Sequence, residues 1–234
     1  MSNKGLFPSS LSKKYAMAAT GLFLCLFLVG HLLGNLQLFQ SGEAGRDAFN
    51  EYALFMTTFP LVKVLSYATY FGILLHVVDG ILLVRANRAA RPVRYVKENG
   101  AANAGWSSRN MAVLGTVVLA FIAAHMQNFW YVMHFGEVST YAIDGVEVKD
   151  LHRVVMEFFG PANGMALGAV IFYVIAQLAI GFHLWHGFAS AFQSFGLRSE
   201  KYTPWIEGAG KAFSVIVPAA FASIPVYLYI IQLS

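Results

Sequence analysis

Thiol chemistry is nearly absent from this chain: its 234 residues include one cysteine, Cys25. One thiol forms no intrachain disulfide and cannot supply the four thiolates of an iron–sulfur cluster, so any such cluster must belong to a partner. Cys25 itself reads as a small apolar packing residue. Charge is also scarce, at 12% of residues, whereas 57% are hydrophobic and the mean hydropathy is +0.57. That balance lies outside the range of a soluble domain and points to an integral membrane protein, with lipid rather than nucleic acid around it.

Five apolar stretches are long enough to cross a bilayer, because crossing takes about 20 helical residues at about 1.5 Å each. They are expected near Tyr15 to Leu38, Leu61 to Val84, Met111 to Phe135, Met165 to Phe192 and Ala212 to Leu233. The predicted fold is an all-α bundle of five transmembrane helices forming one domain over residues 1–234. Lys4, Lys13 and Lys14 precede the first apolar run, as they would in a secretory signal. That run ends in His31-Leu-Leu-Gly-Asn35 rather than in a small-residue cleavage site, so a retained helix is expected.

Twelve of the sixteen basic residues fall on one side of such a bundle: Lys4, Lys13, Lys14, Arg85, Arg88, Arg91, Arg94, Lys97, Arg109, Arg198, Lys201 and Lys211. Arg46, Lys63, Lys149 and Arg153 fall on the other. The positive-inside rule then predicts a cytoplasmic N-terminus, an outside C-terminus and a multi-pass protein of the inner (cytoplasmic) membrane. The basic face could attract anionic lipid or dock a soluble subunit.

Four histidines, His31, His76, His125 and His183, lie one each in the first four spans. An imidazole in hydrocarbon is costly unless partnered. One alone could simply hydrogen-bond to a neighbouring helix, but four in order argue for shared buried ligands, and haem is the natural candidate. Counting turns puts His31 and His125 roughly 24 Å from the cytoplasmic end and His76 and His183 roughly 10 to 14 Å from it. The expected pairs are therefore His31 with His125 and His76 with His183.

Small residues beside a ligand would let a flat macrocycle approach, and positions i and i+4 share a helix face. His76-Val-Val-Asp-Gly80 and His183-Leu-Trp-His-Gly187 both read H-x-x-x-G, and Gly30 and Gly34 flank His31. His186, on nearly the same face as His183, is its rival as ligand, although the pattern favours His183. His134 and His152 fall in or beside the outer connection, solvated or at a quinone entrance.

This ordered set resembles the di-haem cytochrome b subunit of succinate:quinone oxidoreductases (succinate dehydrogenase and fumarate reductase), in the form with a single five-helix anchor. The likeness covers nearly the whole chain, and Phe182-His-Leu-Trp-His-Gly-Phe188 is similar to the fourth-helix signature. It implies two b haems, with His76 and His183 holding the proximal iron and His31 and His125 the distal one. It also implies a cytoplasmic iron–sulfur subunit and a flavoprotein subunit with covalent FAD, where succinate and fumarate interconvert. This chain would then carry electrons in the respiratory chain and serve quinone, menaquinone or ubiquinone, in a complex that could assemble further.

Quinone chemistry needs a proton donor or acceptor near the redox cofactor and an apolar pocket for the ring. The first outer connection, Phe49-Asn-Glu-Tyr-Ala-Leu-Phe-Met56, supplies aromatic surface with Glu51 and Tyr52. Glu51 is the candidate catalytic residue for proton exchange; the competing reading is a solvated loop carboxylate. Asp79 is the one carboxylate well inside a span, placed to tune the haem beside His76, to approach a propionate, or to pair with Arg85 or another basic residue. A cytochrome b of a hydrogenase or formate dehydrogenase is the nearest alternative. A histidine-lined transporter would require acidic groups facing the histidines and broken spans; Pro218 and Pro225 interrupt a fifth span that has no histidine.

Overall fold

The computed structural model describes residues 10–90 and 104–233. Lys4, Arg91, Arg94 and Lys97, counted among the basic residues above, lie outside the described residues. Five helices are long and apolar enough to cross a membrane. α1 (Ser10–Asn35) continues as a 3-10 turn through Phe39, and α3 is Pro60–Ala89. α5 spans Met111–Phe135, α7 is Ala166–Ser194 and α8 is Thr203–Ile231. At about 1.5 Å per residue, the 29 or 30 residues of α3, α7 and α8 reach about 45 Å, beyond a hydrocarbon core of about 30 Å.

The boundaries have local causes. Pro60 and Pro204 open α3 and α8, where a missing N–H costs nothing and φ is already helical. α8 begins nine residues before its expected start at Ala212, because Glu207 and Lys211 stand on helix that extends past the apolar window. It also runs unbroken through Pro218 and Pro225, both buried. Pro218 leaves the Ser214 carbonyl without its usual donor four residues on. α7 comes closest there: a Cβ on Gly181 would sit 3.0 Å from that oxygen. α7 and α8 share the most extensive helix interface in the molecule.

The helices alternate in direction. At one end Tyr15 stacks on Phe195, Gly80 faces Met17, Gly187 faces Met111, and Lys211 lies over Trp185. The described basic residues counted together above cluster at this basic end. At the other end Tyr227 donates to the Phe39 carbonyl, and Gln232 donates to that of Met156.

That second end carries a cap. The expected first outer connection is a helix, α2 (Gly42–Thr58), and the second contains a β-hairpin and a further helix, α6 (Leu151–Phe159). A four-residue helix, α4 (Trp106–Arg109), precedes α5 at the basic end. Strands β1 (Thr140–Ile143) and β2 (Val146–Lys149) pair antiparallel about Asp144 and Gly145, both with positive φ, as a tight two-residue turn requires. Asp150, 1% exposed, fastens the cap: it accepts from Arg46 at 2.6 Å, from Asn50 at 2.9 Å and from the Arg153 N–H at 3.1 Å, the last capping α6. Arg46 also lies flat over Tyr141, 3.9 Å from the ring centre.

Candidate functional site

Near the basic end, His76 of α3 and His183 of α7 meet edge to face with ring centres 6.2 Å apart. α1 receives the first ring: Thr20 Oγ1 lies 3.0 Å from His76 Nδ1, and a Cβ on the adjacent Gly21 would come within 3.3 Å of His76 Cε1. α5 receives the second, with Gly115 facing His183 Cε1. The bare backbone at Gly21 thus keeps α1 close to the ring.

Toward the capped end, His31 of α1 and His125 of α5 meet at 5.8 Å, also edge to face. Their surroundings are aromatic. Phe27 and Phe221 lie 5.3 and 5.6 Å from His31, and Phe121, Phe129 and Tyr173 lie 5.7, 5.3 and 6.1 Å from His125. Asn35 Nδ2, one turn along α1, approaches His31 Nδ1 at 3.4 Å. Directly after His125 the backbone changes to a π turn, Met126–Tyr131, a feature that recurs at functional positions in helices. It brings Trp130 to Tyr70 of α3, to which the indole N–H donates at 2.8 Å.

The two pairs that turn counting sets at equal depth are therefore the two that touch. His186 does not join either: it lines a cavity of about 720 Å³ with Trp106, Trp185 and Gln193, between α4, α7 and α8. Of the glycines expected beside the ligands, Gly30 faces open space, Gly34 receives Tyr52, and Gly80 and Gly187 face methionines. The glycines against His76 and His183, the inner pair in the sense of lying nearer the basic end (His31 and His125, nearer the cap, being the outer pair), are Gly21 and Gly115, on helices other than the histidine's own, which an i,i+4 pattern within one helix cannot reveal.

Asp79 is 2% exposed, and neither carboxylate oxygen has a hydrogen-bond partner among the described residues; the expected pairing with Arg85 is not formed, and Lys13 of α1 is the basic residue whose charge reaches it. Glu51 stands exposed on α2 rather than in a loop. Its neighbour Tyr52 packs into the notch at Gly34, one turn beyond His31. His134 is exposed and stacks on Trp130 at 4.4 Å. His152 is half-buried in the cap, its backbone N–H donating to Asn50 Oδ1; burial pushes the pKa of its ring below the ordinary imidazole value.

Nδ1 of His125 and of His183 is buried without a partner among the described residues. Among the described residues no hydrogen bond to Nδ1 explains where these two rings point. A metal about 2 Å from each of two opposed imidazole nitrogens would leave the ring centres about 6 Å apart. Both observed separations agree with that spacing. Among the described residues no three His, Cys, Asp or Glu side chains gather to hold a bare ion. Two imidazoles at this spacing suit a metal whose remaining donors come from a macrocycle, so the residues present fit haem. Compared with known proteins, the chain matches no family model, no curated protein and no solved structure.

Proposed function

We propose that this chain is the membrane anchor and electron-transfer subunit of a succinate:quinone oxidoreductase, with one b haem between His31 and His125 and a second between His76 and His183. The observation that carries the reading is the pair of interhelical imidazole contacts, at 5.8 and 6.2 Å, stacked along one bundle. Haem held by two histidines relays single electrons and keeps no coordination position open for oxygen.

The residues divide the work accordingly. α1 and α5 clamp one group and α3 and α7 the other, so each site exists only when the bundle is assembled. The five aromatic rings around His31 and His125 exclude water there. The basic end, in this reading cytoplasmic, docks the iron–sulfur and flavoprotein subunits, where the dicarboxylate chemistry takes place. Glu51, on α2 beside Tyr52, exchanges protons with quinone near the His31 and His125 pair.

A reduced-minus-oxidised optical spectrum of the purified chain tests this. A b-type α-band is expected, with half of it lost from both His31→Ala and His125→Ala and the other half from both His76→Ala and His183→Ala. A featureless spectrum, or loss from one member of a pair alone, overturns the reading.

A further inference from the structure

One ring of the inner pair, His76, meets a side chain of another helix that is not one of the four histidines. Thr20 Oγ1 lies 2.7 Å from the Ala16 carbonyl and 3.2 Å from that of Met17, one turn back along α1, and 3.0 Å from His76 Nδ1 on α3. A hydroxyl has one proton. Both carbonyls are acceptors, so the proton goes to the helix backbone, and toward the imidazole the oxygen offers lone pairs. His76 Nδ1 must then carry its hydrogen and donate it. Neutral imidazole protonated at Nδ1 has its free lone pair on Nε2.

We infer that Thr20 is a positioning residue that fixes the Nδ1–H tautomer of His76 and presents Nε2 to the metal. This rests on the two-haem reading and adds to it a second partner for one ligand. Back-bonding alone does not distinguish Thr20, because Thr69 and Thr116 also donate to carbonyls four residues back. The contact with a ring nitrogen on another helix does. Gly21 completes the arrangement, since a side chain there would push the ring off α1 and lengthen the bond. Nothing comparable serves the other three: His31 Nδ1 meets an amide nitrogen of its own helix, and Nδ1 of His125 and His183 has no partner among the described residues.

Partners of this kind raise the basicity of a metal-bound imidazole and are worth 10- to 100-fold in affinity or activity, as an order of magnitude. A more basic ligand favours the oxidised, more highly charged metal, so removing the acceptor should raise the potential of that centre. The test is redox titration of the full haem-loaded chain in wild-type, Thr20→Val, Thr20→Ser and Thr69→Val forms. In Thr20→Val one of the two centres should shift upward by about tenfold in its reduced-to-oxidised ratio, about 59 mV for one electron, or be lost. Thr20→Ser should restore it, and Thr69→Val should move neither. Unchanged potentials in a fully loaded Thr20→Val protein, or an equal shift in Thr20→Ser, overturn the role of Thr20 and leave the two-haem reading standing. A wild-type chain with no haem spectrum overturns both.

Discussion

Around His31 and His125 lie five aromatic rings; around His76 and His183 lie a threonine hydroxyl, a carboxylate one turn away at Asp79 that accepts no hydrogen bond from the described residues, and a third histidine three residues on. Four helices thus build two histidine pairs of nearly the same spacing by different means. The outer pair is held mainly by packing, with one long amide contact from Asn35 to His31 Nδ1. In the inner pair His76 is held by a hydrogen bond, which fixes its position and, with Thr20 as inferred above, the nitrogen that carries the proton. The outer site should therefore respond to changes in volume and the inner site to changes in hydrogen bonding and backbone approach.

The largest test of that contrast is the choice of ligand at the inner site. His183→Ala should abolish one haem of two, whereas His186→Ala should keep both, because His186 lines the cavity beside α4 instead; haem per chain measured after purification decides it. Next, Gly21→Ala places a methyl about 3.3 Å from His76 and should weaken inner-site binding roughly tenfold, while Gly30→Ala, facing open space, should change nothing at the outer site. Equal responses would erase the distinction between the two sites. Phe121→Ala removes a buried ring against His125 and Tyr173 and should lower stability in detergent by about 3 kcal/mol, without moving the inner-site potential.

The smallest effect is in acid. Burial would raise the Asp150 carboxyl pKa, but the hydrogen bonds from Arg46, Asn50 and the Arg153 N–H outweigh it and hold it below the ordinary value. Its contribution is present above an unfolded pKa of about 3.9 and is lost as pH falls through the lower folded value. Melting followed from neutral pH into that range should loosen the capped end, and with it the outer pair, before the inner one. Asp150→Asn should flatten this dependence.

Much of this was legible from residue order. Long apolar runs locate the spans, and the positions of His31, His76, His125 and His183 along them predict which rings meet. What depends on one helix facing another was not legible. Thr20 and Gly21 look like ordinary residues of an apolar run until α3 is laid against α1, and the same holds for Gly115 against α7. Asp79 has a basic residue six positions on, and distance along the chain suggested a pairing that the helix geometry does not make. The cap was hidden for another reason: α2 and the hairpin are short elements in polar connections, although Asp144-Gly145 between alternating strand residues carried the signal of a tight turn. The early start of α8 was masked by Glu207 and Lys211, which break an apolar window without breaking a helix.

The π turn at Met126–Tyr131 amounts to one residue stored inside a span. Removing a single residue there should let α5 wind as plain α-helix, because the wide turn takes up one extra residue with little change in the facing of the helix beyond it. Removing one residue from the plain α-helical part would instead rotate everything after it by about 100°. The turn is therefore the place where this span can change length by one residue while His125 stays against His31 and the segment beyond keeps its facing at the membrane surface.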